Sequence, residues 1–167
     1  MDLMVVGSVA YDSVETAAGK RDDMLGGSAT HFSLAAALFT QPGLVAVIGQ
    51  DFRVSDVTLL REHGVDLSGL TTADGPTFRW GGRYHADMNG RDTLFTHLNV
   101  FESFQPVLED IHRDASLVFL ANIHPVLQQQ VLDQANSPGF VALDTMNLWI
   151  DVARDDLLTV LQSVDGL

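Results

Sequence analysis

The segment LMVVGSVAYD, residues 3–12, decides the fold class of this chain. It opens with an uninterrupted apolar run, Leu3 to Val6, which Gly7-Ser8 closes. A run without alternation is typical of a strand in a parallel sheet, because helices cover both faces of such a sheet. We therefore predict that the chain begins with a buried, central parallel strand.

Beyond this segment, apolar runs alternate with segments of helical periodicity. Further strands are predicted at 44–48, 117–121 and 140–143. Helices are predicted at 29–39, 57–63, 125–134 and 155–163. The apolar residues of the first helix recur at helical spacing and are Phe32, Ala35, Ala36 and Phe39. Repeated strand-helix units favour a doubly wound α/β fold, with a mostly parallel sheet between two layers of helices.

The pattern changes between Thr77 and Leu98. Two β-rich pieces, 77–80 and 91–96, flank the dipeptide Asn89-Gly90, which is a strong hairpin signal. We interpret this segment as a small antiparallel flap. It contains Arg79, Arg83 and Arg91, three of the nine basic residues of the chain. These arginines could meet a phosphorylated or acidic substrate, but solvated charges on a strand face are the more common explanation.

Composition excludes several classes of function. Nine basic and 22 acidic residues give a net charge of −13, which repels nucleic acids and anionic membrane surfaces. There is no cysteine, so disulfides and thiolate metal sites are excluded. No signal peptide or long apolar run is present, and the sequence predicts a cytoplasmic protein.

Four ordered landmarks carry a family resemblance: residues 7–12, GSVAYD; 26–31, GGSATH; 47–52, VIGQDF; and 64–66, GVD. Together they resemble the N-terminal part of the PfkB carbohydrate kinases, which have a ribokinase-like fold. The resemblance implies a doubly wound, mostly parallel sheet with a small antiparallel β lid, truncated at the C-terminus. It predicts one incomplete domain, 1–167, with the lid inserted at about 77–98.

The resemblance also implies a site for a sugar or nucleoside acceptor. The family's aspartate after the first strand accepts hydrogen bonds from acceptor hydroxyls, and Asp12 matches it. Gly26 and Gly27 match the glycines that let the backbone approach the substrate. His31 stands where many relatives have asparagine, which leaves its contact open. The alternatives are that Asp12 only caps a turn and that Gly26-Gly27 is an ordinary turn before a helix.

Two asparagines are further candidates for substrate binding. Asn122 follows the strand 117–121, where some relatives place a polar ligand, and Asn147 follows the strand 140–143. Asparagine is also a routine turn residue, so both candidates are weaker than Asp12. In the family the lid closes over the substrate and can pair between subunits. The resemblance therefore implies a possible homodimer, with Trp80 and Phe95 as candidate contacts.

The resemblance implies ATP and Mg²⁺ as cofactors of a full-length parent. The family's Gly-Ala-Gly-Asp helix start and its Asn-x-x-Glu element have no match in this sequence. No catalytic residue is therefore assigned here, and we expect this chain alone to be inactive.

Three other interpretations compete with the kinase. A dinucleotide-binding fold needs G-x-G-x-x-G, whereas the glycine that follows Gly7 is Gly19. His85, Asp87 and His97 do not have the spacing of a zinc site, and no metal ligand is assigned. A non-catalytic sugar- or nucleoside-binding module remains the main alternative.

Overall fold

Nine strands, six α-helices and one 3₁₀-helix form the computed structural model, which describes residues 1–167. The strands are β1 Leu3–Val6, β2 Ala10–Thr16, β3 Gly19–Gly26, β4 Pro42–Gly49, β5 Leu70–Ala73, β6 Phe78–Tyr84, β7 Arg91–His97, β8 Leu117–Leu120 and β9 Phe140–Leu143. The α-helices are α1 Ser28–Ala36, α2 Val54–Glu62, α3 Asp110–Arg113, α4 Pro125–Leu132, α5 Asn147–Val152 and α6 Arg154–Leu161, and the 3₁₀-helix is Asn99–Ser103.

The main sheet is parallel throughout, with the strand order β5-β4-β1-β8-β9. β1 lies in its centre and every residue of β1 is buried, as the apolar run predicts. Met4 and Val6 belong to the core on one face of the sheet, whereas Leu3 and Val5 belong to the core on the other. Because successive side chains of a strand point to opposite faces, a strand buried on both faces must be apolar at every position. The doubly wound α/β prediction is confirmed.

The first helix differs from its prediction. α1 ends at Ala36, and Phe39 beyond it is 89% exposed. The fully buried residues of the helix are Ala29, Thr30 and Ser33. Of the predicted apolar face, Phe32 and Ala36 are partly buried against the core, whereas Ala35 and Phe39 are exposed. Small side chains lie against the sheet because the N-terminus of α1 crosses close to β1 and β2, where larger ones would not fit.

The second sheet has the strand order β3-β2-β6-β7, and we call these four strands the lid sheet. The hairpin predicted around Asn89-Gly90 is present, since β6 and β7 pair in antiparallel fashion. The sheet is larger than the predicted flap, because 10–26 contributes two strands, and it is mixed, because β2 and β6 run parallel. Most of β3 is exposed and polar, so the apolar pattern that would reveal a strand is missing.

Four further elements escaped prediction: β5, α3, α5 and the 3₁₀-helix. β5 at the edge of the main sheet has no buried residue, and neither has α5. Hydrophobic periodicity reveals only elements that bury one face, so such elements carry no signal in the sequence. No helix has the length and apolar character that crossing a membrane requires.

Leu120 and Leu158 provide a matched test of the core. Leu120 is fully buried at the end of β8, whereas Leu158 on α6 is 50% exposed. We expect Leu120→Ala to lower the free energy of unfolding by about 2–5 kcal/mol, because it removes buried methyl groups and leaves a cavity. Leu158→Ala should change it by less than about 0.5 kcal/mol. Urea unfolding of both variants measures the difference, and equal losses would contradict this packing.

Candidate functional site

Asp12 lies in β2 of the lid sheet, close to the start of that strand. Its carboxylate covers the Cα of Gly26 on the neighbouring strand, so that any side chain at Gly26 would collide with Asp12 Oδ2. The sequence places this aspartate after the first strand, and the structure shows that it lies beside the point where the chain leaves the lid sheet for α1. Asp12 and Gly26 therefore form one continuous surface.

Gly27 has a structural role that the sequence could not separate from a ligand-binding one. It precedes α1 with φ 96° and ψ 144°, a conformation that is essentially restricted to glycine. A Cβ at Gly27 would collide with the Ser8 carbonyl oxygen and would lie 2.8 Å from the Cα of Val9. The backbone that enters α1 thus passes directly against the β1–β2 connection, and glycine is required for that crossing.

Hydrogen bonds from Ser28 fix the N-terminus of α1. The Ser28 amide donates to Ser8 Oγ at 3.1 Å, and the Ser28 hydroxyl donates to the Asn122 carbonyl oxygen at 3.2 Å. The Ala29 amide donates to the Ser8 carbonyl oxygen at 3.1 Å. Two of the first amides of α1 are therefore occupied by the protein itself, which leaves fewer for a ligand than the glycine pair suggests.

Burial raises the pKa of the Asp12 carboxyl above its ordinary value, although His31 and the Gly27 backbone amide lie close enough to oppose that effect. His31 is exposed on the first turn of α1. A partly desolvated carboxylate near an imidazole and a backbone amide is well suited to accept hydrogen bonds from a polar ligand. The structure thus brings four predicted residues together: Asp12, Gly26, Gly27 and His31.

The two asparagines have different surroundings. Asn122 reaches this group through its backbone, but its side-chain Oδ1 accepts a 2.8 Å hydrogen bond from Trp149 Nε1. Asn147 is exposed at the start of α5 and makes no side-chain hydrogen bond to the other predicted residues. The structure therefore gives Asn122 a place beside the site, whereas Asn147 is not brought into contact with it.

A charged junction that the sequence did not reveal joins the lid sheet to the main sheet. Arg79 of β6 forms ion pairs with Asp23 of β3 and, at 2.7 Å, with Asp51, which follows β4. Asp51 also accepts hydrogen bonds of 2.7 Å from the Thr77 amide and hydroxyl. Burial opposes ionisation of Asp51, but these Thr77 and Arg79 contacts lower its pKa. Arg79 is therefore no solvated surface charge.

Tyr11 strengthens this junction from the other side of Arg79. Its hydroxyl donates to Asp56 at 2.8 Å and accepts from the Arg53 amide at 2.8 Å. The guanidinium groups of Arg53 and Arg79 lie 4.4 and 5.2 Å from the centre of the Tyr11 ring. A buried aromatic ring in contact with two guanidinium groups gives this junction a defined geometry.

The fold is shared with proteins of known structure. No family model and no curated protein matches the sequence. Solved structures do match: a nucleoside kinase of Methanocaldococcus jannaschii, an archaeal member of the ribokinase family, has 16% identity and a TM-score of 0.75, with 99% of this chain and 59% of that chain covered. The chain therefore has the ribokinase-like fold, as the four landmarks predict.

Two further structures show the same likeness. A PfkB protein of Polaromonas sp. JS666 has 13% identity and a TM-score of 0.74, with 99% of this chain and 64% of that chain covered. The ribokinase of Arabidopsis thaliana, complexed with ribose and ATP, has 19% identity and a TM-score of 0.64, with 86% of this chain and 53% of that chain covered. This chain thus spans about three fifths of the length of the kinases that it resembles.

The close crossing at Gly27 can be tested against Gly64, which also has positive φ. Gly64 has φ 86°, but no atom lies within 4 Å of the position that a Cβ would take. Gly64→Ala should therefore cost only the conformational strain of about 1–2 kcal/mol. Gly27→Ala should cost at least twice as much, because the backbone of Ser8 and Val9 cannot move aside. Urea unfolding compares the two variants, and equal losses would mean that the crossing is not tight.

The junction can be tested with Arg79 and Arg83, which are both ion-paired within the lid sheet. Only Arg79 also reaches Asp51 of the main sheet. We expect Arg79→Ala to accelerate hydrogen exchange throughout the lid sheet while the amides of β1 and β4 stay protected. Arg83→Ala should affect only its neighbours, and each loss of stability should stay below about 1 kcal/mol. Identical hydrogen-exchange patterns in Arg79→Ala and Arg83→Ala would contradict a role of Arg79 in joining the two sheets.

Proposed function

We propose that this chain is the acceptor-binding part of an ATP-dependent kinase that transfers a phosphoryl group to a hydroxyl of a sugar or nucleoside. The observation that carries this proposal is the partly buried Asp12 carboxylate, which lies over the Cα of Gly26 next to the entrance to α1. The similar structures support it, because they include a nucleoside kinase and a ribokinase complexed with ribose and ATP.

In this proposal Asp12 accepts hydrogen bonds from two neighbouring hydroxyls of the acceptor. A carboxylate is an acceptor on both oxygens, so it can bind a diol in one orientation. Gly26 leaves room for the Asp12 carboxylate to lie against the backbone. His31 supplies one further hydrogen bond to the acceptor. The lid sheet limits access of water, which strengthens these polar contacts and favours transfer to the acceptor over hydrolysis of ATP.

ATP and Mg²⁺ would be held by residues outside these 167 positions. No three His, Asp or Glu side chains converge where they could bind a metal ion. The sequence also contains neither the Gly-Ala-Gly-Asp nor the Asn-x-x-Glu element. Phosphoryl transfer depends on such groups to orient and stabilise the transferred phosphate, so we propose that this chain alone binds the acceptor but does not turn over ATP.

A non-catalytic sugar- or nucleoside-binding module is the second candidate. The geometry of the site is compatible with it, since Asp12 and His31 could bind an acceptor without chemistry. The two candidates differ only for a protein that contains this chain together with an ATP-binding part. With ATP, Mg²⁺ and the acceptor, such a protein forms phosphorylated acceptor if the kinase proposal holds and forms none if this chain is a non-catalytic module.

We also propose a homodimer through the lid sheet, in which only one of the two side chains Trp80 and Phe95 contacts the partner subunit. Phe95 packs over Gly81, whereas Trp80 packs over Gly82. Consecutive residues of a strand point to opposite faces, so Trp80 and Phe95 lie on opposite faces of the lid sheet. A partner subunit that covers one face would leave the other aromatic side chain uncovered.

Asp12→Asn is expected to separate binding from stability. Acceptor affinity should fall by about 10–100-fold, because hydrogen bonds to a charged group are lost. The free energy of unfolding at neutral pH should be higher for Asp12→Asn than for the wild type. The pKa of Asp12 is higher in the folded than in the unfolded state, so the wild-type fold loses stability as the pH rises through the folded-state pKa. Calorimetric titration with ribose and adenosine, together with thermal unfolding, measures both effects.

The matched control is Asp22→Asn on the exposed part of β3, which should leave acceptor affinity unchanged. The wild-type affinity should also weaken on acidification through the raised Asp12 pKa, whereas the affinity of Asp12→Asn should not. Unchanged affinity in Asp12→Asn would remove Asp12 from the site.

A further inference from the structure

The three arginines of the lid sheet differ in their partners. Arg79 is ion-paired with Asp23 and Asp51, and Arg83 is ion-paired with Glu15 at 2.9 Å. Arg91 forms no ion pair. Its guanidinium lies instead over the indole of Trp80, 5.5 Å from the ring centre.

Trp80 lies on the same face of the lid sheet as Asp12. The two residues are register partners on β2 and β6, so their side chains point to the same side, on strands about 4.8 Å apart. A Cβ at Gly82, two residues along the strand, would collide with the Trp80 ring, so the indole covers the backbone at Gly82 on this face. The Arg91 guanidinium is therefore held on the face that carries the candidate acceptor site.

Arg83 has the opposite orientation. It follows Gly82 directly in β6, so its side chain points to the other face, where its register partner Glu15 neutralises it. The sequence alone offers three equivalent cations in one flap. The structure divides them into two that are neutralised by carboxylates and one, Arg91, that is held on the Asp12 face without a counter-charge.

We infer that the acceptor carries an anionic group, a phosphate or a carboxylate, that Arg91 binds while Asp12 accepts hydrogen bonds from its hydroxyls. This inference rests on the proposed function. A guanidinium is planar and donates two parallel hydrogen bonds to either anion, and stacking on Trp80 orients it without neutralising its charge. A bound anion also offsets the repulsion that an acidic protein exerts on an anionic substrate.

The test measures the affinity of the full chain for matched neutral and anionic sugars by calorimetric titration. D-fructose and D-fructose 6-phosphate test for a phosphate, whereas D-glucose and D-gluconate test for a carboxylate. We expect one anionic sugar to bind at least ten times more tightly than its neutral partner. Arg91→Ala should abolish that preference, Arg91→Lys should retain part of it, and Trp80→Ala should weaken it.

Arg83→Ala is the matched control, because it removes an equal charge from the other face of the same strand pair. It should leave the preference unchanged, which shows that the effect does not come from net charge. All four variants change exposed or half-exposed positions, and circular dichroism with thermal unfolding verifies that each is folded. Equal loss of the preference in Arg83→Ala and Arg91→Ala would overturn the assignment of Arg91.

The remaining outcomes separate this inference from the proposed function. Sugars that bind in an Asp12-dependent way, with no preference for the anionic forms, would overturn the role of Arg91 and leave the kinase proposal standing. Absence of binding by any of the four sugars and also by ribose and adenosine, in wild type and Asp12→Asn alike, would overturn both. Inorganic phosphate as a competitor gives an independent measurement: it should displace the anionic sugar from wild type but have no effect on Arg91→Ala.

Discussion

The crossing of the Gly26–Gly27 backbone against Ser8 and Val9 is the contact on which the rest of the structure depends. At this point the chain returns from the lid sheet, enters α1 and passes beside the connection from β1 to β2. Two segments of backbone can approach so closely only where no Cβ intervenes. The crossing fixes the lid sheet relative to the main sheet, and it places Asp12 beside the entrance to α1.

Two kinds of interaction then hold the sheets in this relation. The main sheet is stabilised by burial of β1 and its neighbours on both faces, which is a non-directional effect proportional to apolar area. The junction with the lid sheet is polar and directional: Arg79 connects Asp23 with Asp51, and Tyr11 connects β2 with Asp56. Ion pairs that are partly exposed contribute little stability, so the lid sheet is positioned by geometry more than by energy.

The candidate site contains a group, the Asp12 carboxylate, whose burial is unfavourable for folding but favourable for binding a polar ligand. The Asp12 carboxylate loses part of its hydration on folding, which its raised pKa records. A group of this kind gains from a ligand that replaces the lost hydrogen bonds. The lid sheet adds an orienting surface, because Trp80 and Asp12 share one face while Arg79 and Arg83 are neutralised elsewhere. Such an arrangement is typical of a binding site.

The sequence by itself determined four strands of the main sheet, including the central one, and the hairpin at Asn89-Gly90, since burial on both faces and tight turns restrict which residues are possible. The grouping of Asp12 with the glycine pair came from the resemblance of the four landmarks to the PfkB kinases. The sequence did not reveal β3, β5 or α5, because elements with few buried side chains carry no periodicity. Nor could it distinguish Arg91 from Arg79 and Arg83. Only the tertiary structure distinguished these arginines. The face on which each charge lies, and its partner, are set by strand register and by the parallel pairing of β2 with β6. Register and pairing arise from contacts between residues far apart in the chain, which local sequence patterns do not specify.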